Sequence, residues 1–352
     1  MKNKSALFVV VLVVFLALSL VLGGAFVRYI HSPVIEGDET TVLVEVPEGS
    51  TFAKLMFDMH KKGQLKYPRL IIWYARLNGL TGSLKAGEYE IKKGTHARQF
   101  ILQLNEGRVL KRNITFIEGT TFREMREELA SAEKLKQTLN GLSDDEVMKK
   151  LGMPGVSPEG NFFPDTYQYH LGMTDEQVLR TALKKMQKTL QQEWEVRSDG
   201  LPYASPYEAL TMASIVEKET GVEAERAKIA GVFVRRLQKG MLLQTDPTVI
   251  YGLGDKYDGN LRKADLQNDS RYNTYKYPGL PPTPIAMPGL DAIHAALNPD
   301  SGKSLYFVAK GDGTHEFSDS LQQHSAAVSR FQLNRSNNYH SAPTPRESGE
   351  TP

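Results

Sequence analysis

The 352 residues, 40% apolar and 24% charged, have the make-up of a folded protein with one large or two modest cores. With Lys2 and Lys4 set aside, 41 basic residues face 41 acidic ones and no basic stretch stands out, which argues against nucleic acid as a partner. The absence of cysteine excludes disulfides, thiolate metal sites and cysteine nucleophiles.

Ala6 to Val27 carries no charge and, at about 1.5 Å per residue, can cross roughly 30 Å of hydrocarbon. This predicts a single transmembrane helix over 6–27 behind a short cytoplasmic tail, 1–5. A cleaved signal peptide is the competing reading, but its apolar core usually runs only about 7–15 residues, and Gly23-Gly24-Ala25 matches a small-x-small cleavage site only loosely. Lys2 and Lys4 precede the span and no acid does, so the positive-inside rule keeps the tail in the cytoplasm and exports everything after Arg28. The expected location is the cytoplasmic (inner) membrane, single-pass, with the bulk of the chain outside.

Residues 28–40 are polar and broken by Pro33 and Gly37, as expected of a tether. Thr41 to Val46 alternates like a strand. A Pro47-Glu48-Gly49-Ser50 turn then leads to a helix from Thr51 with Phe52, Leu55, Met56 and Met59 on one face. A helix over Tyr67 to Leu77, a strand around Glu88 to Ile91 and a helix from His96 to Asn105 complete a small α+β module over 41–112. A strand near Val109 to Phe116 leads into Ile117-Glu118-Gly119-Thr120-Thr121-Phe122, which echoes Val46-Pro47-Glu48-Gly49-Ser50-Thr51-Phe52. Strand, Glu-Gly turn and capped helix is also how LysM glycan-binding modules begin; the plainer alternative is a recurring helix start.

Further on, Ser205-Pro206-Tyr207-Glu208 reads as a capping box with proline at the first helical position, opening a helix that reaches about Thr220. Helices are also expected over Glu223 to Lys239 and Leu290 to Leu297. Tyr277 to Gly289 contains five prolines and must be extended loop. The polar tail, 336–352, is expected to be disordered.

The eight histidines show no His-Glu-x-x-His spacing, and there is no Gly-x-Ser-x-Gly elbow or phosphate-binding loop. A carboxylate enzyme, or no enzyme, remains. The densest stretch is Ala213-Ser214-Ile215-Val216-Glu217-Lys218-Glu219-Thr220. At about 100° per residue Glu217 and Glu219 flank the apolar arc on opposite sides, about 160° apart, so they cannot act as a glycosidase pair on one bond. Glu217, between Leu210 and Ala213, would gain a raised pKa by partial burial, as a general acid requires; a surface ion pair with Lys218 or Arg226 is the plainer reading. Leu243 to Gly252 gathers Gln244, Thr245, Asp246 and Tyr251, a mix suited to hydrogen-bonding a sugar, or simply a turn before Pro247. Tyr272-Asn273-Thr274-Tyr275 with the stiff Gly279 to Ile285 segment could wall a groove, or be surface packing of a long loop.

These clusters, in this order, resemble the YceG-like family of endolytic murein transglycosylases, as do Glu159 to Tyr167, Tyr306 to Ala309, His315, Phe317 and His324. The likeness runs from the apolar span to about Phe331; Asn161 and Arg271 depart from it. It implies an α+β fold: an N-terminal transmembrane helix, a LysM-like module at 41–112 and a larger catalytic domain at 113–335. It also implies a lytic transglycosylase acting on the glycan strands of peptidoglycan. In that chemistry one carboxyl group, placed by the resemblance on Glu217, protonates the bond between N-acetylmuramic acid and N-acetylglucosamine and then draws the muramic 6-hydroxyl onto its own anomeric carbon, leaving a 1,6-anhydro end. No metal or cofactor is needed. Gln244, Thr245, Asp246, Tyr251, Asn273 and Tyr275 are the expected glycan-binding residues. Tethering would confine the enzyme to new strands, where it would end glycan elongation beside the peptidoglycan synthases, its expected partners. The rival readings are a water-using muramidase and a non-catalytic wall-binding protein.

Overall fold

The computed structural model describes residues 2–34, 40–82 and 84–333, and the chain divides into two compact units. The expected disordered tail and residues 35–39 of the expected tether lie outside the described residues.

The first unit spans residues 1–113 with the short segments 133–136 and 168–173. Helix α1 (Lys2–Ile30) is followed by β1 (Thr41–Val46), α2 (Phe52–Lys61), α3 (Pro68–Leu77), β2 (Gly87–Lys92) and α4 (Ala97–Glu106). Strands β1 and β2 pair antiparallel, from Thr41 opposite Lys92 to Val46 opposite Gly87. Alternation in β1 sends Val42, Val44 and Val46 inward. There they meet Leu55, Met56 and Met59 of α2, Ile71 of α3, Ile91 of β2 and Phe100, Ile101 and Leu104 of α4. Each such side chain contributes about 1.5–3 kcal/mol on full burial. Thr51 caps α2 by accepting the Lys54 N–H. The span differs from expectation at its end: α1 runs on to Ile30, and Ile30 and Val34 are buried in this core, with the Val34 N–H donating to the Thr95 carbonyl at 2.9 Å. Residues 30–34 are therefore packed structure, because their apolar side chains find a core before the polar stretch begins.

The second unit comprises 114–132, 137–167 and the chain from Thr174. The chain enters it along β3 (Arg112–Thr115), which pairs with β4 (Thr166–Tyr169). Helices α5 (Phe122–Ser131), α6 (Asp144–Leu151), α7 (Asp175–Glu195), α8 (Pro206–Glu219), α9 (Glu223–Gln238), α10 (Asp246–Leu253) and α11 (Leu290–Leu297) follow. The β5 (Tyr306–Ala309) and β6 (His315–Ser318) hairpin and α12 (Leu321–Val328) close the unit. Helix α8 is its axis: every residue from Ala209 to Val216 is buried, against α7, α9, α10 and α11. A helix buried on all sides sits inside a core, and its two polar residues there, Thr211 and Ser214, bond back to the Tyr207 and Thr211 carbonyls. The echo at Glu118-Gly119 is structural as well, for Gly49 and Gly119 share φ near +75° and each precedes a threonine-capped helix opening on a buried phenylalanine.

Candidate active site

Ser205 starts α8 by accepting the Glu208 N–H, with Pro206 at the first turn. The expected capping box is half made, since the Glu208 carboxylate takes the Ala204 N–H at 2.7 Å instead of closing on Ser205. At mid-helix the Ser214 hydroxyl accepts the Ile285 N–H at 3.0 Å, pinning the proline-rich segment to the axis. Helix α8 stops at Glu219, so Glu217 and Glu219 stand in its last turn, where the negative end of the helix dipole disfavours carboxylates.

Glu217 lies on one flank, its side chain 7% exposed. Its Oε2 accepts the Gly289 N–H at 2.9 Å, and its Oε1 is 3.9 Å from the Arg226 guanidinium, which also bonds Asp291 at 3.0 Å. Burial raises its pKa, with Glu118 and Asp291 adding to the rise and the Gly289 N–H and Arg226 opposing it. The second Glu-Gly turn closes over this flank. The Gly119 N–H donates to the Met287 carbonyl at 2.8 Å, Lys218 Nζ donates to the Gly119 carbonyl at 3.1 Å, and a methyl group on Gly119 would touch Glu217. The Glu118-Gly119 turn thus packs against this flank.

Glu219 lies on the other flank, where it lines a cavity of about 740 Å³ with Gln244, Asp246, Tyr275, Arg236, Tyr306 and His324 among the walls. The Thr245 hydroxyl donates to its Oε1. Burial, reinforced by Asp246, pushes the Glu219 carboxyl up to about 7, against the opposing pull of Thr245 and Arg236. A carboxyl group raised this far keeps its proton closer to neutrality than an ordinary glutamate does, the direction a general acid requires.

Four of the expected glycan-binding residues, Gln244, Thr245, Asp246 and Tyr275, line this cavity. Gln244 is exposed there on a backbone at φ +52°, an αL conformation that a non-glycine residue holds only where its surroundings enforce it. The Tyr275 hydroxyl donates to Asp246 Oδ1 at 2.6 Å, joining two further walls. Thr245, also in the cavity wall, is buried and donates its hydroxyl to Glu219. The remaining two are placed elsewhere. Asn273 is fully buried, and its amide donates to the Leu266 and Asn268 carbonyls at 3.0 and 2.8 Å while its oxygen accepts the Tyr275 N–H, holding the loop that carries Tyr275. The Tyr251 hydroxyl donates to Glu159 Oε2 at 3.1 Å, and its ring packs on Tyr272. Asp246-Pro247, expected at most as a turn, begins α10, since proline fits the first turn of a helix.

Arg236 had no sequence signal as a wall residue. Its guanidinium holds the Leu243 and Leu305 carbonyls and lies 5.1 Å from the Tyr306 ring, so it braces the cavity from beneath. Glu159, in the Glu-Gly-Asn-Phe-Phe-Pro motif, is a second buried acid. It accepts the Phe122 N–H at 3.0 Å as well as the Tyr251 hydroxyl, and burial pushes it up to about 7. Among the described residues, no group of three or more His, Asp or Glu side chains could hold a metal.

A model of the YceG-like family matches residues 44–330. An endolytic murein transglycosylase of Bacillus subtilis (strain 168) is 33% identical over 333 residues, which is 89% of this chain and 91% of that protein. One of Streptococcus pneumoniae (strain D39) is 29% identical over 91% of this chain and 64% of its own length. The crystal structure of a YceG-like protein from Listeria monocytogenes matches with a TM-score of 0.53 and 29% identity, covering 82% of this chain and 99% of that one.

Proposed function

The chain belongs to the YceG-like family, and on that premise we propose that it is an endolytic lytic transglycosylase of peptidoglycan whose acid and base is Glu219. The observation that carries this is the Glu219 cavity: a carboxyl group pushed up to about 7 lines an open space together with Gln244, Asp246 and Tyr275. Glu217, the acid chosen from the sequence, is held by the Gly289 N–H and Arg226 on the opposite flank. Both carboxyl groups are raised by burial, and what favours Glu219 is its place on the wall of a cavity beside side chains suited to hold a glycan.

In this reading protonated Glu219 gives its proton to the glycosidic oxygen between N-acetylmuramic acid and N-acetylglucosamine, and the bond from that oxygen to the muramic anomeric carbon breaks. The Glu219 carboxylate then takes the proton of the muramic 6-hydroxyl as that oxygen bonds to the anomeric carbon. The acid is thereby regenerated and an anhydro ring closed with no water consumed. Gln244, Asp246 and Tyr275 hold the glycan, and Thr245 orients the carboxyl group. One carboxylate serves both steps, in keeping with the wide angle between the two glutamates on α8.

Helix α1, apolar over Leu7–Ile30, is the membrane anchor of this reading, with both units on the extracytoplasmic side because Lys2 and Lys4 precede the span. The β1-α2-α3-β2 arrangement, with its antiparallel strand pair, supports a LysM-like glycan-binding role for residues 41–112. An anchored enzyme of this kind would end the elongation of new strands and work beside the peptidoglycan synthases.

Mass spectrometry of products from uncrosslinked peptidoglycan strands tests the proposal. Anhydro-ended fragments from wild type and Glu217→Gln, but not from Glu219→Gln, are expected. Activity lost in Glu217→Gln and retained in Glu219→Gln would overturn the assignment, and hydrated reducing ends would make the enzyme a muramidase.

A further inference from the structure

The outer face of α3 carries Lys66, just before the helix, and then Arg69, Leu70, Trp73, Arg76 and Leu77, at spacings of three and four and all exposed. The opposite face, Ile71, Ile72 and Ala75, is buried in the first unit's core. Trp73, Leu70 and Leu77 are 54%, 37% and 64% exposed, and α3 contains no acidic residue. Large apolar side chains interleaved with cations alone form the pattern of a helix lying in a membrane interface.

This face adjoins the end of α1. The Trp73 ring meets Phe26 edge-on at 5.1 Å between centroids, and Tyr67 meets Tyr29 in the same way at 5.3 Å. Counted from the start of the apolar run, about 20 residues at about 1.5 Å each use up roughly 30 Å of hydrocarbon, which puts Phe26 at the outer boundary. Trp73 therefore stands at the depth where indole rings gather in membrane proteins, with its apolar body toward the chains and its N–H toward the headgroups. Arg28 follows Phe26 on α1, and Arg69 and Arg76 flank Trp73 on α3, so cations accompany the aromatic pair.

We infer that the exposed stripe of α3 rests in the headgroup layer of a phospholipid bilayer, so that the first unit is seated on the membrane from which α1 emerges. The inference rests on α1 being a retained anchor. It adds that the module is held against the surface by a second contact, with anionic lipid favoured by the cations of the stripe. Burial of Ile30 and Val34 in the same core removes the slack that a flexible tether would leave between span and module.

The test uses the full chain with Trp194→Phe, which makes Trp73 the sole tryptophan, reconstituted in phosphatidylcholine–phosphatidylglycerol vesicles brominated either high or low on the acyl chains. Trp73 emission is expected to be quenched by the high bromines more than by the low ones and to be shielded from aqueous acrylamide. In Leu70→Asp/Leu77→Asp the quenching by lipid should fall and acrylamide access should rise, with the chain still resisting a carbonate wash and its circular dichroism unchanged. Free acrylamide access and no bromine effect in a carbonate-resistant chain would overturn the inference while leaving the anchor standing. Shielding from acrylamide without bromine quenching, dependent on protein density, would overturn it in favour of a second copy on the stripe. A chain stripped off by carbonate would overturn both the anchor and the inference.

Discussion

Glu217 and Glu219 stand two residues apart in the last turn of α8 and face opposite environments: Glu217 Oε2 takes the Gly289 N–H at 2.9 Å, whereas Glu219 takes the Thr245 hydroxyl at the wall of a cavity. Both acids are raised by burial. The cavity on the Glu219 side is the ground on which Glu219 is proposed as the acid.

Replacing each by glutamine separates the two roles. Glu219→Gln is expected to lower kcat on peptidoglycan by about 10²–10⁴-fold, the usual worth of a positioned acid and base, with glycan binding retained. Glu217→Gln should keep kcat within about tenfold and lose stability by about 1–3 kcal/mol, since it weakens a buried acceptor and leaves Arg226 under-compensated. Product-release assays and denaturant unfolding of both variants check this.

With its carboxyl group pushed up to about 7, the general acid is present below that pH and lost above it, so kcat/KM should fall as pH rises through about 7. The Thr245 hydroxyl favours the ionised form of Glu219. Thr245→Val should therefore move the alkaline limb to higher pH, visible in a kcat/KM profile even if kcat itself drops.

Glu159 should make stability depend on pH. Its folded pKa of about 7 exceeds the ordinary 4.5, so between those values the folded state binds a proton that the unfolded state has released. Its contribution is fully present below about 4.5 and is lost as pH rises toward 7. In Glu159→Gln the fall in unfolding free energy between pH 5 and 7 should be smaller by about 1–3 kcal/mol, measured by denaturant titration across pH.

Two glycines of the same conformation should respond differently to alanine. Gly49 has φ +75° and open space around it, so Gly49→Ala should cost only the αL penalty, about 1–2 kcal/mol. Gly160 has φ +78°, and a Cβ there would lie 2.4 Å from Pro284, in the segment pinned to α8. Gly160→Ala should cost about 2 kcal/mol more than Gly49→Ala in thermal or denaturant unfolding, because a rigid ring cannot swing aside.

Local patterns in the chain were enough for some of the elements, though not for α6, α7, α12 or the start of α10. The uncharged run after Ala6, the threonine and serine caps at Thr51, Thr121 and Ser205, and the prolines of Tyr277 to Gly289 each act within a few residues of themselves, so helix starts and loop were legible without tertiary structure. Helical angle likewise separates Glu217 from Glu219, but it is symmetric about the apolar arc and cannot say which flank opens to solvent. Segments distant in sequence make the two sides differ: the Glu118-Gly119 turn and Gly289 contact Glu217 on one, while Thr245 and Tyr275 border a cavity with Glu219 on the other. Composition was equally silent on how polar side chains are spent. Asn273 gives its amide to its own loop, and Tyr251 reaches a glutamate 92 positions away, because a buried polar group takes whatever partner the fold brings within reach.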